Sequence, residues 1–65
     1  MTRYQLALTI ISDIIQILIE DYELSEENAK EIFYNSWLNN TIQEYPELFL
    51  HDSPTKWADE IMKNQ

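Results

Sequence analysis

Between Tyr4 and Tyr22 the polar residues Gln5, Thr9, Ser12, Asp13, Gln16 and Glu20 recur at intervals of three to four, and nearly everything between them is apolar. That spacing predicts a long apolar N-terminal helix from about Arg3 to Tyr22, with Thr2 capping its first N–H groups. A surface helix usually carries an apolar arc of roughly 100°, and this one exceeds it. One face, Tyr4-Leu8-Ile11-Ile15-Leu18-Tyr22, has the spacing that packs helix on helix. A second face, Leu6, Ile10, Ile14 and Ile17, lies beside it and needs its own cover.

The second helix starts at Ser25, an N-cap serine ahead of Glu26 and Glu27, whose carboxylates suit the positive end of a helix dipole. Leu24 and Ala29 are spaced as a hydrophobic staple across that cap. Ala29, Ile32, Phe33, Ser36 and Trp37 form its inner face, and Asn39-Asn40 is the expected end. Thr41-Ile42-Gln43-Glu44 has the capping-box spacing for a short third helix. Tyr45 precedes Pro46 and is biased away from helical angles, so this element is brief or distorted; a kinked continuation of helix two fits the same residues equally well. Pro46 to Asp52 reads either as one helical turn or as an extended loop that presses Leu48, Phe49 and Leu50 into the core. Ser53-Pro54 opens the last helix, with proline at the first helical position and an apolar face of Trp57, Ala58, Ile61 and Met62. No stretch alternates with a period of two. The expected fold is all-α, a small bundle of three to four helices, with residues 1–65 as a single domain.

Composition narrows the function classes. The chain has 65 residues, no cysteine and no glycine. At this length a domain is marginally stable alone, and neither disulfides nor a cysteine zinc site can add to it. Without glycine there is no glycine-rich phosphate loop. The 45% hydrophobic content is too high for a disordered acidic tail. Arg3 and the apolar run after it superficially resemble a leader or a membrane span. Thr9, Ser12, Asp13 and Gln16 interrupt the run, however, and Glu20, Asp21 and Glu23 close it. A cytoplasmic location follows. Twelve acidic residues oppose four basic ones, for a net charge of −8. That balance disfavours membrane surfaces and direct nucleic-acid binding, since both recruit lysine and arginine.

Little in the sequence supports catalysis. His51-Asp52-Ser53 contains the residue types of a hydrolase triad, yet consecutive side chains diverge where a triad must converge. A calcium loop starting at Asp21 would need glycine sixth and glutamate twelfth, where Glu26 and Ile32 stand. No cofactor is implied. The candidate site is the acidic run Glu20, Asp21, Glu23, Glu26, Glu27 and Glu31, opposed within the run only by Lys30. It reads either as a solvated face or as a docking surface for a basic protein partner.

The apolar N-terminal helix, the acidic junction ending in Leu24-Ser25-x-x-x-Ala29, the Ile32-Phe33-Tyr34 centre, Leu50-His51-Asp52-Ser53 and the terminal Asp59-Glu60-Ile61 occur in an order that resembles small helical proteins of low-GC bacteria and their mobile elements. Some of these are encoded beside ADP-ribosyltransferase-like proteins in toxin–antitoxin-like neighbourhoods. The resemblance implies an accessory or antitoxin-like role and carries over no catalytic residue. The expected function is a non-enzymatic, acidic protein–protein interaction module. The alternative is a phage-type inhibitor or DNA mimic acting on a host nucleic-acid enzyme. The second apolar face of helix one, with four large aliphatic side chains, further predicts a homodimer through Leu6, Ile10, Ile14 and Ile17.

Overall fold

The first helix begins with a reciprocal cap. The Gln5 N–H donates to Thr2 Oγ1 at 3.1 Å, and the Thr2 N–H donates to Gln5 Oε1 at 3.1 Å. In this computed structural model, which describes residues 2–64, every regular element is helical. The order is α1 (Arg3–Asp21), α2 (Glu26–Tyr34), α3 (Trp37–Glu44), a 3-10 helix η1 (Pro46–His51) and α4 (Pro54–Lys63). No helix among the described residues is long and apolar enough to cross a membrane.

Helix α1 is the axis, and each of the other elements packs against it. Its buried residues are Ala7, Ile10, Ile11, Ile14, Ile15 and Leu18, a single stripe with helical period. That stripe takes Ile11, Ile15 and Leu18 from the first predicted face and Ile10 and Ile14 from the second. The line between the two faces points at the core. This corrects the expected dimer interface. Ile14 is 0% exposed and Ile10 6% within one chain, while Leu6 and Ile17 are partly buried against the same core. The face assigned to a second copy is covered by the chain's own elements and is not open to a second copy. The large residues left in water on α1 are instead Tyr4, at 71%, and Leu8, at 46%.

Both ends of α1 are tied down. The Arg3 guanidinium donates to the Glu44 carbonyl and reaches Glu47 Oε1 at 3.3 Å, fixing the junction of α3 and η1. At the other end Tyr22 Oη donates to Asp59 Oδ1 of α4 at 3.2 Å. Phe33, Leu38, Ile42, Phe49, Ala58 and Ile61 close the core from the remaining elements.

Three local expectations change. Helix two stops at Tyr34, with Asn35 as its C-cap, rather than near Asn39-Asn40. Ser36 turns the chain there, its hydroxyl donating to the Phe33 carbonyl at 2.6 Å. Thr41 therefore lies inside α3, its hydroxyl donating to the Trp37 carbonyl, and caps nothing. In η1 Pro46 and Phe49 are buried, and of the three residues expected in the core only Phe49 enters it. Its neighbours Leu48 and Leu50 are exposed, because the tight turn sends successive side chains apart.

Candidate functional site

The junction of α1 and α2 gathers the predicted carboxylates. Glu20 and Asp21 end α1, Glu23 lies in the connection, Glu26 and Glu27 open α2, and Glu31 follows one turn later; all six are exposed. The short connection needs a reversal. Glu23 supplies it in the left-handed region at φ 56°, a conformation that glycine or asparagine usually takes at a helix end. The Leu24 N–H then points back to the Leu18 carbonyl at 3.4 Å. Ser25 starts α2 by accepting the Asn28 N–H at 3.1 Å.

Charge pairing makes this region distinct. All four basic side chains are engaged: Arg3 with Glu47, Lys30 with Glu26, Lys56 with Asp52 and Lys63 with Asp59, at 3.0 to 3.4 Å. Of the twelve carboxylates, the four in these pairs leave eight without a cation within 4 Å among the described residues. Five of the eight, Glu20, Asp21, Glu23, Glu27 and Glu31, belong to the predicted run; the others, Asp13, Glu44 and Glu60, are scattered. Glu26 is the exception within the run, held by Lys30 at 3.0 Å. Glu20 accepts a hydrogen bond from Gln16 Nε2 at 2.7 Å and keeps its charge uncompensated.

Two grooves flank α2. One, of about 570 Å³, runs beside the Asn28, Glu31, Ile32 and Asn35 stripe, with Leu24 at one end, Ser36 and Trp37 at the other, and Ile61 and Asn64 of α4 across it. Ile61 is buried, Leu24 and Ile32 are half-buried, and Trp37 is 52% exposed. Among the described residues, this groove's one charged lining side chain is Glu31. The second groove, of about 420 Å³, lies between α2 and α1 over Leu8, Ile11, Ile15, Ile19 and Tyr34. Its two charges, Glu26 and Lys30, neutralise one another. The first groove is therefore apolar and acidic, and the second apolar and balanced.

The first groove was not legible from helical spacing. Placing Trp37 on the inner face of helix two assumed a helix unbroken through Ser36. The break after Tyr34 turns Trp37 outward to wall the groove. The available signal was Asn35-Ser36, a C-cap residue followed by an N-cap residue.

The remaining candidates are not assembled into a catalytic group. His51, Asp52 and Ser53 are all exposed, and Asp52 Oδ2 accepts from Lys56 Nζ at 3.1 Å. Ser53 occupies the N-cap position of α4 without the side-chain hydrogen bond expected of it. No group of three or more histidine, cysteine, aspartate or glutamate side chains among the described residues is placed to hold a metal ion. Tyr22, at the α1–α4 contact, has its phenol raised above the ordinary value by partial burial and then by its hydrogen bond to Asp59. Comparison of the chain with protein-family models, curated proteins and solved structures found no match.

Proposed function

We propose that the chain is a non-enzymatic protein–protein interaction module that docks a basic protein through the α1–α2 junction. The antitoxin-like or accessory role is what its resemblance implies. The observation that carries this reading is the concentration of uncompensated carboxylate there: five of the six carboxylates of the run have no cation within 4 Å among the described residues, Lys30 pairing with Glu26 and the other three basic side chains pairing outside the run. The junction also works against its own stability. Glu20 and Asp21 sit at the negative end of the α1 dipole, where acids are unfavourable. Glu27 and Glu31 are a like-charged i, i+4 pair, which costs about 0.2–0.5 kcal/mol. Glu23 holds a left-handed conformation that costs a non-glycine residue about 1–2 kcal/mol. Local conflicts of this kind concentrate at functional sites, where binding rather than folding sets the residue.

The test compares charge removal at equal number. Glu27→Gln with Glu31→Gln should slow association with a lysine-rich peptide and flatten its salt dependence; Asp13→Asn with Glu44→Gln should do neither. Equal on-rates for the two double variants would return the junction to a solvated face. Glu23→Gly adds a second measure. It should raise the urea midpoint by relieving the backbone while weakening the peptide complex.

A further inference from the structure

We infer that the groove between α2 and the end of α4 receives the apolar side of a basic amphipathic helix from the partner protein. The inference rests on the docking function proposed above and gives that docking a seat and a chemistry.

The groove offers apolar surface that the chain itself leaves open: among its lining residues Leu24 and Ile32 are half-buried and the Trp37 ring is half-exposed, beside the buried Ile61. A large aromatic beside an apolar depression is the arrangement in which interface anchors concentrate. Along its length the groove follows α2, which has nine residues and so extends about 13 Å. That span matches roughly two and a half turns of a helix laid against it, the geometry in which one apolar face fills a groove. An extended strand would look for a free sheet edge, and the described residues form no sheet.

Charge selects the occupant. Glu31 lines the groove, Glu27 stands one turn before it on α2, and Glu60 stands one turn before Asn64 on α4. None of the three has a cation within 4 Å among the described residues. Lys63, next to Asn64 in sequence, is held by Asp59 at 3.4 Å. Lys30 turns to the other side of α2, where it pairs with Glu26 beside the second groove. A partner helix with an apolar residue flanked by lysine or arginine one turn away would set its anchor against Trp37 and Ile32. Its cations would then lie opposite Glu27 and Glu31, whose own spacing is one helical turn. A second copy of this chain would bring further negative charge to the same rim, and nucleic acid would do so more strongly.

The experiment uses a fluorescently labelled amphipathic leucine–lysine peptide and measures affinity by anisotropy. Trp37→Ala should weaken binding by at least about tenfold. Replacing the central leucine of the peptide by serine should weaken it similarly, and combining the two changes should cost less than their product. This peptide arm holds even if Trp37→Ala loses its fold. Leu8→Ser, in the charge-balanced groove, should leave affinity unchanged. If Trp37→Ala and the serine peptide bind like the parents while Glu27→Gln with Glu31→Gln weakens binding, the groove is not the seat and the docking function survives. If neither the charge pair nor Trp37 matters, both fall. Loss on Trp37→Ala with no effect of the charge pair would overturn the basic partner.

Discussion

At the scale of single residues, Tyr22 couples the end of α1 to α4 and makes stability depend on alkaline pH. Its phenol is raised above the ordinary value of 10.0 because partial burial and the bond to Asp59 both favour the neutral form. The unfolded chain loses this proton at lower pH than the folded one. The contribution is therefore fully present below the unfolded value and falls away as pH rises through the folded one. Urea midpoints of the parent should decline above about pH 10, with a shallower decline for Tyr22→Phe than for Tyr4→Phe, whose ring is exposed. Equal slopes would show that the Asp59 contact does not hold the phenol. Glu23 is the opposite kind of residue, since its side chain is free in solvent and its backbone carries the constraint. No residue pattern announced it. In a chain without glycine, the left-handed position falls to whichever residue the turn geometry selects.

At the scale of elements, the cap serines separate into two kinds. Ser25 accepts the Asn28 N–H, whereas Ser53 occupies the equivalent position before α4 without a side-chain bond. Ser25→Ala should destabilise the chain by about 1 kcal/mol, and Ser53→Ala should stay within about 0.5 kcal/mol. Denaturant titration of both variants decides this, and a larger loss at Ser53 would reverse the assignment. Pro54 already sets the backbone angle for the first turn of α4, so a hydroxyl cap has less left to do there. The start of α2 was legible because Ser25-Glu26-Glu27 states it locally. Its end was not, because Ile32, Phe33, Ser36 and Trp37 satisfy helical spacing whether or not the helix continues. Core packing of Phe33 and Leu38, both fully buried on either side of the break, decides for two short helices.

At the scale of the whole molecule, eight carboxylates without a cation within 4 Å among the described residues lie on a body of 30 × 19 × 19 Å. These dimensions are comparable with the screening length in dilute buffer, so the charges repel one another across the molecule. The four ion pairs are all well exposed, a setting in which each contributes about 0–1 kcal/mol. Raising sodium chloride from about 0.01 to 1 M shortens the screening length from roughly 30 to 3 Å. The thermal midpoint should rise over that range, since more repulsion than attraction is screened. A falling midpoint would show that the four pairs outweigh the excess charge.

The sequence by itself determined that this chain is helical, that Thr2 and Ser25 cap helix starts, that Pro54 opens the last helix, and that six carboxylates cluster around the junction of the first two. Each of these is local, set by a cap, a proline ring or a run of like residues within a few positions. Tertiary structure decided the rest. It turned the line between the two faces of α1 toward the core, so that Ile10 and Ile14 are covered by the same chain and Tyr4 and Leu8 are not. It broke the second helix at Asn35, moved Trp37 from an inner face to a groove wall, and engaged every cation away from Glu27 and Glu31. These outcomes depend on which apolar arrangement buries most surface once all the helices compete for α1. Such a competition is settled between residues far apart in the chain, where periodicity along one element carries no information.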